Sequence, residues 1–137
     1  MAEGYLVKRL AEEGMDGAIV ISSGTGTISG MKPTAETIRV MKEHGVDVSS
    51  YMSSSISKAH ITNADVILIM EKKHRDVILE MVPGGEEKIY FLRGFSKNVT
   101  RENDYIRDPI GRPLEFYREV FEIIKNSTEG FLKWLNE

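Results

Sequence analysis

Three short apolar runs constrain the fold of this chain more than any other feature. They are AIVIS at residues 18–22, DVILIM at residues 65–70 and KIYFL at residues 88–92. A strand that is apolar on both faces is typical of a parallel sheet covered by helices on both sides. Since helical patterns alternate with these runs, the sequence predicts an α/β fold. We expect a small parallel sheet flanked by helices, with right-handed crossovers between its strands.

Four longer segments have helical patterns. In the first, apolar residues lie four apart from Ala2 to Leu10, and Gly14 supplies a stop. The third and fourth are predicted at residues 71–82, before a PGG triplet, and at about residues 114–135.

The second predicted helix lies between its own cap signals. Thr34 is the expected N-cap, and Gly45 follows the last turn. His44 lies in that last turn, where we expect its ring to interact with the carbonyl end of the helix.

Length and composition exclude several classes of protein. The 137 residues contain no linker, which predicts a single domain over residues 1–137. Lys and Arg number 18 against 21 Asp and Glu, without a long basic run, so we expect no nucleic-acid partner. No apolar run is long enough to span a membrane and no signal-peptide pattern is present, which predicts no membrane partner and a cytoplasmic location.

Cysteine is absent from the sequence. This excludes disulfides, thiolate chemistry and cysteine-ligated metals within these residues. The histidines His44, His60 and His74 are 16 and 14 residues apart, which is not a metal-ligand spacing. We therefore expect neither a metal nor any other cofactor.

The glycine-rich segment GTGTISGMKP after the first apolar run has two interpretations. It could cradle a phosphate, or it could be an ordinary strand-to-helix turn. It lacks the Walker spacing, and Ser29 occupies the position at which G-x-G-x-x-G requires its last glycine. The serines at residues 49–57 have no neighbouring base and no G-x-S-x-G elbow, so we expect a solvated loop there.

The segment RDPIGRP also has two interpretations. Asp108, followed by proline and then by Gly111 three residues on, is typical of a type I turn in which the aspartate binds its own backbone. Asp108 could also be a proton donor held at the ligand end of the sheet. The two interpretations are compatible, because a rigid turn holds a general acid well.

Five motifs in order resemble the low-molecular-weight protein tyrosine phosphatases, a family that also includes bacterial protein-arginine phosphatases. No single motif is specific, but their order and spacing together are. They cover essentially the whole chain: MAEG at residues 1–4, SSGT at residues 22–25, GVDVS at residues 45–49, ADVILIMEKKH at residues 64–74, and DPIG at residues 108–111 with Tyr117 in the last helix.

The resemblance implies a function that this chain cannot perform alone. In the family, the first strand and the C-x5-R loop precede the MAEG motif and supply the nucleophilic cysteine and the phosphate-binding arginine. The chain resembles such a phosphatase without them, and we expect it to be inactive as given. The family reaction passes through a cysteinyl-phosphate, in which the counterpart of Asp108 protonates the leaving oxygen and then activates water. In the full-length form, the implied partner is a protein phosphorylated on tyrosine or arginine.

The resemblance also assigns supporting roles to three residues. Ser22 corresponds to a residue that braces the phosphate loop, and Ile28 and Ile110 stand where many relatives place aromatic walls of the substrate pocket. Two alternatives stay open: a non-catalytic pseudophosphatase that binds through residues 24–32 and the Asp108 loop, and a flavodoxin-like nucleotide binder, which the absent fingerprints disfavour.

The missing first strand has a structural consequence. In the family it lies between the counterparts of residues 18–22 and 65–70, so its absence leaves two apolar strand edges unpaired. We expect one of three outcomes. The two edges close up, another chain fills the gap as in a homo-oligomer, or residues 1–14 are unusually mobile.

Overall fold

The computed structural model describes residues 1–15, 17–97, 99–100 and 102–137. Within them, two short parallel strands form a small sheet, with Ile67 opposite Ile89 and Ile69 opposite Phe91. The elements in chain order are α1 (Ala2–Glu12), α2 (Ala35–Glu43), α3 (Lys58–Asn63), β1 (Ile67–Ile69), α4 (Lys72–Met81), β2 (Ile89–Phe91) and α5 (Leu114–Leu135), with 3₁₀ turns at Glu86–Lys88 and Leu92–Phe95.

The alternating side chains of β1 confirm the predicted α/β layering. Ile67 and Ile69 pack into an apolar cluster with Ile61 of α3 and Ile78 of α4. Leu68 points the other way, into a cluster with residues of α5. The sheet is therefore covered by helices on both faces, as the doubly apolar strands predicted.

The predicted strand at residues 18–22 is wrong. These residues form no strand, and among the described residues no backbone hydrogen bond joins 19–22 to another backbone group. Ile19 is 91% exposed and Ile21 is 57% exposed. Because β-branched residues favour a strand only where a neighbouring strand can pair and cover them, composition alone could not decide this segment. One isolated parallel bridge, between Gly24 and Ser55, lies just beyond it.

The caps of α2 bear out one prediction and correct another. The Thr34 hydroxyl accepts a hydrogen bond from the N–H of Thr37, as expected of an N-cap. Among the described residues, the ring of His44 makes no hydrogen bond to the carbonyl end of the helix, where we expected it to interact. It stacks on Phe121 at 4.1 Å between ring centroids, since α5 presents an apolar face there.

Helix α5 holds the remaining elements together. Its buried stripe includes Tyr117 and Phe121, which pack against α1 and α2, and Val120 and Ile124, which pack against Leu92 and the loop before α5. Residues spaced three and four apart lie side by side along one helix face. The two pairs therefore pack into two neighbouring clusters on the same face of α5.

A charged contact fixes α1 on α5. Arg9 donates from Nε to Glu129 Oε1 at 2.7 Å and from Nη2 to Oε2 at 3.1 Å, and the Tyr5 hydroxyl donates to Oε1 at 2.6 Å. The Arg9 hydrogen bonds hold the pKa of Glu129 below its usual value. Burial, followed by the nearby Glu129, raises the pKa of Tyr5 to about 12.

The described residues include no helix long and apolar enough to cross a membrane.

At Gly130, the backbone of α5 lies close to the backbone of Phe95. A Cβ there would overlap the carbonyl oxygen of Phe95 and lie 2.8 Å from its carbonyl carbon. We therefore expect Gly130→Ala to lower the free energy of unfolding by about 1–3 kcal/mol, because the added methyl group meets backbone rather than a flexible side chain.

Helix propensity alone predicts that Gly130→Ala would raise the free energy of unfolding, because Gly→Ala within a helix usually raises it by about 1 kcal/mol. Urea denaturation measures the change, with Asn126→Ala as the control at an exposed position of the same helix. Stabilisation by Gly130→Ala would contradict the close approach.

Candidate functional site

The candidate site lies beyond the carboxyl end of β1, where the loop before α5 crosses the sheet. In that loop, the N–H of Ile110 donates to Asp108 Oδ1 at 3.0 Å, and the N–H of Arg112 donates to the carbonyl of Pro109 at 2.9 Å. Gly111 has φ +79°, which glycine adopts without strain. The predicted bond of Asp108 to its own backbone is confirmed. The predicted type I turn over residues 108–111 is wrong in register and type, because the backbone bond closes residues 109–112 and the positive φ of Gly111 at the third position is that of a type II turn. The bond from Ile110 uses only Oδ1 of Asp108, and Asp108 is exposed.

A backbone hydrogen bond positions this turn on the sheet. The N–H of Ile106 donates to the carbonyl of Met70 at 2.8 Å, one residue beyond β1. The Ile106 side chain is 1% exposed and packs with Val120 and Ile124 of α5. The chain is therefore fixed two residues before Asp108, at the edge of the sheet where α/β folds bind ligands.

His74 organises the same corner from the other side. Its Nδ1 accepts hydrogen bonds from the N–H groups of Met70 at 3.3 Å and Glu71 at 3.1 Å. The ring can accept these bonds only while Nδ1 is unprotonated. Burial lowers the pKa of His74, and the neighbouring Lys73 lowers it further, while the carboxylates of Glu71 and Asp108 oppose this shift.

Sequence reasoning missed this role of His74. The available signal was its position three residues after Glu71 at a helix start, where a polar side chain can reach back to the preceding backbone.

The predicted glycine-rich and serine segments form a pair of loops held together by serine hydroxyls. The Ser53 hydroxyl donates to the carbonyl of Ile28, and the Ser55 hydroxyl donates to the carbonyl of Thr27, both at 2.6 Å. Backbone bonds link Gly30 to Ser53 and Ser53 to Met31. The serine segment was expected to be a solvated loop, but two of its hydroxyls bind the glycine-rich segment and shape it. We name these two segments, residues 23–31 and 53–55, the paired loops.

Ser22 lies where the paired loops meet the start of α1. Its hydroxyl donates to Glu3 Oε2 at 2.7 Å, and its carbonyl accepts from the Ser54 hydroxyl at 3.1 Å. Next to it, Ser23 Oγ lies 3.0 Å from His60 Nδ1 on the protein surface.

The two predicted pocket residues are on separate loops. Ile28 lies in the paired loops and is 77% exposed, and Ile110 lies in the turn after Asp108 and is 67% exposed. Both are large apolar side chains held out into solvent.

Comparison with known proteins agrees with this geometry. The family model described as "Low molecular weight phosphotyrosine protein phosphatase" matches residues 1–137. The chain belongs to this family. The predicted resemblance to the low-molecular-weight phosphatases and the predicted α/β fold class are therefore confirmed.

The chain is similar to three proteins with different names. The chain is 32% identical over 109 residues to a protein-arginine-phosphatase of Geobacillus stearothermophilus, covering 80% of this chain and 71% of that protein. It is 30% identical over 131 residues to an arsenate reductase of Staphylococcus aureus, covering 96% and 84%. The crystal structure of a low molecular weight protein tyrosine phosphatase from T. tengcongensis matches with a TM-score of 0.85 at 25% identity, covering 96% and 87%.

The hydrogen bonds of His74 predict a dependence of stability on pH. Because its pKa is lower in the folded than in the unfolded chain, the unfolded chain binds more protons below about pH 6.5. The stability that the neutral ring contributes is therefore present above about pH 6.5 and is lost as the pH falls towards the folded pKa.

We expect His74→Gln to lose less stability than the wild type when the pH falls from about 7.5 to about 5.5, since glutamine can accept the same backbone bonds without titrating. Urea midpoints at both pH values measure the difference. Lys72→Gln, at an exposed position of the same helix turn that does not act on the His74 pKa, should keep the wild-type pH dependence. Equal losses in the wild type and His74→Gln would show that His74 does not titrate as described.

Proposed function

We propose that residues 1–137 form one cytoplasmic domain that carries the proton-transfer half of phosphomonoester hydrolysis, with Asp108 as general acid and then general base. One observation carries the proposal: Asp108 is an exposed carboxylate on a rigid turn, anchored through Ile106 to the carboxyl end of β1. A general acid needs a fixed carboxyl group that can reach the substrate, and this turn supplies both properties. Membership of the phosphatase family supports the assignment.

The nucleophilic half of the reaction is not available within these residues. The family mechanism needs a cysteine thiolate, and the 137 residues contain none. We therefore propose that this chain alone has no phosphatase activity and that a thiolate and a phosphate-binding loop must be supplied from outside residues 1–137. The substrate proposed for the complete enzyme is a protein phosphorylated on tyrosine or arginine.

Three further residues have supporting roles in this proposal. Ser22 braces the phosphate loop, which is consistent with its position between Glu3 and Ser54. Ile28 and Ile110 form the apolar walls beside the phosphorylated side chain, consistent with their exposure on loops.

A second candidate function is a non-catalytic pseudophosphatase that binds other proteins. The observation that favours it is the absence of cysteine, together with exposed Ile28, Met31 and Met52 on or next to the paired loops. A related proposal is a homo-oligomer in which a second copy covers Ile19 and Ile21, the exposed apolar residues of segment 18–22.

Adding the missing parts tests the proposal. The chain itself should not hydrolyse p-nitrophenyl phosphate or phenyl phosphate. A version extended before Met1 by a family strand and C-x5-R loop should hydrolyse both without metal. In that version, Asp108→Ala should lower kcat by roughly 10²–10⁴-fold.

Comparing the two substrates distinguishes a loss of proton donation from a general loss of activity caused by the substitution. Phenol has a pKa of about 10, like tyrosine, and leaves poorly without a proton, whereas p-nitrophenol is more acidic. Asp108→Ala should therefore affect phenyl phosphate more than p-nitrophenyl phosphate, and Glu102→Ala, an exposed carboxylate of the same loop, should affect neither. Turnover by the unextended chain, or equal effects of both substitutions, would contradict the proposal.

A further inference from the structure

A small cavity opens beside the Asp108 turn. It has a volume of about 120 Å³ and lies between the 3₁₀ turn Leu92–Phe95, the loop before α5 and the first turns of α5. Two arginines, two aromatic residues, one glutamate and two aliphatic residues line it: Arg93, Arg107, Tyr105, Phe116, Glu119, Val120 and Ile123. We name it the arginine pocket.

The cations of the arginine pocket are held by aromatic rings and backbone. Arg93 donates from Nη1 to the carbonyl of Tyr105 at 3.0 Å. The Arg107 guanidinium lies 5.9 Å from the centre of the Tyr105 ring, and the Arg112 guanidinium lies 5.3 Å from that of Phe116. Such contacts orient a guanidinium without neutralising it, so its N–H donors stay available.

Within the described part of the chain, none of these three arginines has a carboxylate oxygen within 4.0 Å. Arg9 and Arg118 behave differently, since each forms ion pairs with two or more glutamates. Arg93 and Arg107 therefore line the cavity together with one carboxylate, Glu119, and Arg112 lies over the Phe116 ring that forms part of its wall. The net charge of the whole chain is −3.

We propose that the arginine pocket binds an acidic side chain of the protein substrate, close in sequence to the phosphorylated residue. This inference rests on the proposed function, because it takes Asp108 as the place of the phosphorylated residue. Arg107 precedes Asp108 directly and Arg112 follows it by four residues. The Cα atoms of the neighbouring residues Arg107 and Asp108 are about 3.8 Å apart, and an extended peptide advances about 3.3 Å per residue. A glutamate or aspartate within about three residues of the reacting group is therefore close enough for the Arg107 side chain to contact.

A carboxylate is the group that this pocket suits. Guanidiniums pair with carboxylates in a fork of two hydrogen bonds. The Tyr105 ring holds the Arg107 guanidinium in place for such a pair. At about 120 Å³, the cavity has room for one carboxylate side chain rather than for a polyanion.

Binding of unphosphorylated peptides to residues 1–137 tests the inference about the arginine pocket. The probes are a hexapeptide with three glutamates, its glutamine counterpart and an RNA hexamer, each titrated into isotopically labelled chain and followed by NMR. We expect the glutamate peptide to shift the side-chain Nε–H signals of Arg107 and Arg112, and to bind at least tenfold more tightly than the glutamine peptide at low salt.

Variants assign the binding to the pocket. Arg107→Glu/Arg112→Glu should weaken binding of the glutamate peptide at least tenfold and should favour a lysine peptide instead. Lys42→Glu/Lys133→Glu makes the same change in net charge at exposed positions elsewhere and should retain binding. Arg107→Gln/Arg112→Gln, which removes both guanidiniums without adding a negative charge, should also lose binding in a chain that urea denaturation shows to be folded.

Equal binding of the two peptides, equal loss in both charge-reversal variants, or tighter binding of the RNA at the same signals would overturn the inference.

The extended, active version separates this inference from the proposed function. There, a phosphopeptide with neighbouring glutamates should have a KM several-fold below that of its glutamine counterpart, with similar kcat, and Arg107→Glu/Arg112→Glu should remove the difference. If the extended version is active but lacks this preference, the inference about the arginine pocket is wrong and the proposed function stands. An extended version that binds acidic peptides on the arginine signals but has no phosphatase activity overturns the proposed function alone.

Discussion

Burial of one stripe of α5 is the interaction on which the rest of the structure depends. A sheet of two three-residue strands is too small to hold a domain of this size by itself. Helix α5 instead packs α1 and α2 through Tyr117 and Phe121, and the loop of the candidate site through Val120 and Ile124. Burying an apolar side chain of this size contributes about 1.5–3 kcal/mol, so the stripe outweighs any single surface ion pair.

The same stripe determines where the candidate site lies. Ile106 is buried against α5, and its N–H binds the carbonyl of Met70, so packing and backbone pairing act on one residue. Asp108 follows two residues later in a turn closed by its own side chain. On the other side of β1, His74 holds the backbone at Met70 and Glu71. The position of the carboxylate is therefore a consequence of the core, although Asp108 itself is exposed.

Local patterns predicted the parts of this structure that depend on local contacts. The helix ends followed from spacing and caps such as Thr34, and the bond of Asp108 to its own backbone followed from its place before Pro109. The register and type of the backbone turn that follows were not predicted. Residues 18–22 were predicted as a strand because they are apolar and β-branched, but a strand needs a partner that local composition does not report. For the same reason, the serine hydroxyls that bind the carbonyls of Thr27 and Ile28 could not be predicted.

Native-state hydrogen exchange by NMR tests most directly the claim that α5, rather than an extended sheet, organises this chain. If α5 organises the chain, the amides of Val120, Phe121 and Ile124 exchange only on global unfolding. The Ile106 amide is then strongly protected by its bond to Met70. The amides of Ile19 and Ile21 exchange at nearly the rate of an unstructured peptide. Protection of Ile19 and Ile21 equal to that of Val120 would show that residues 18–22 are paired in the sheet, and would contradict the account.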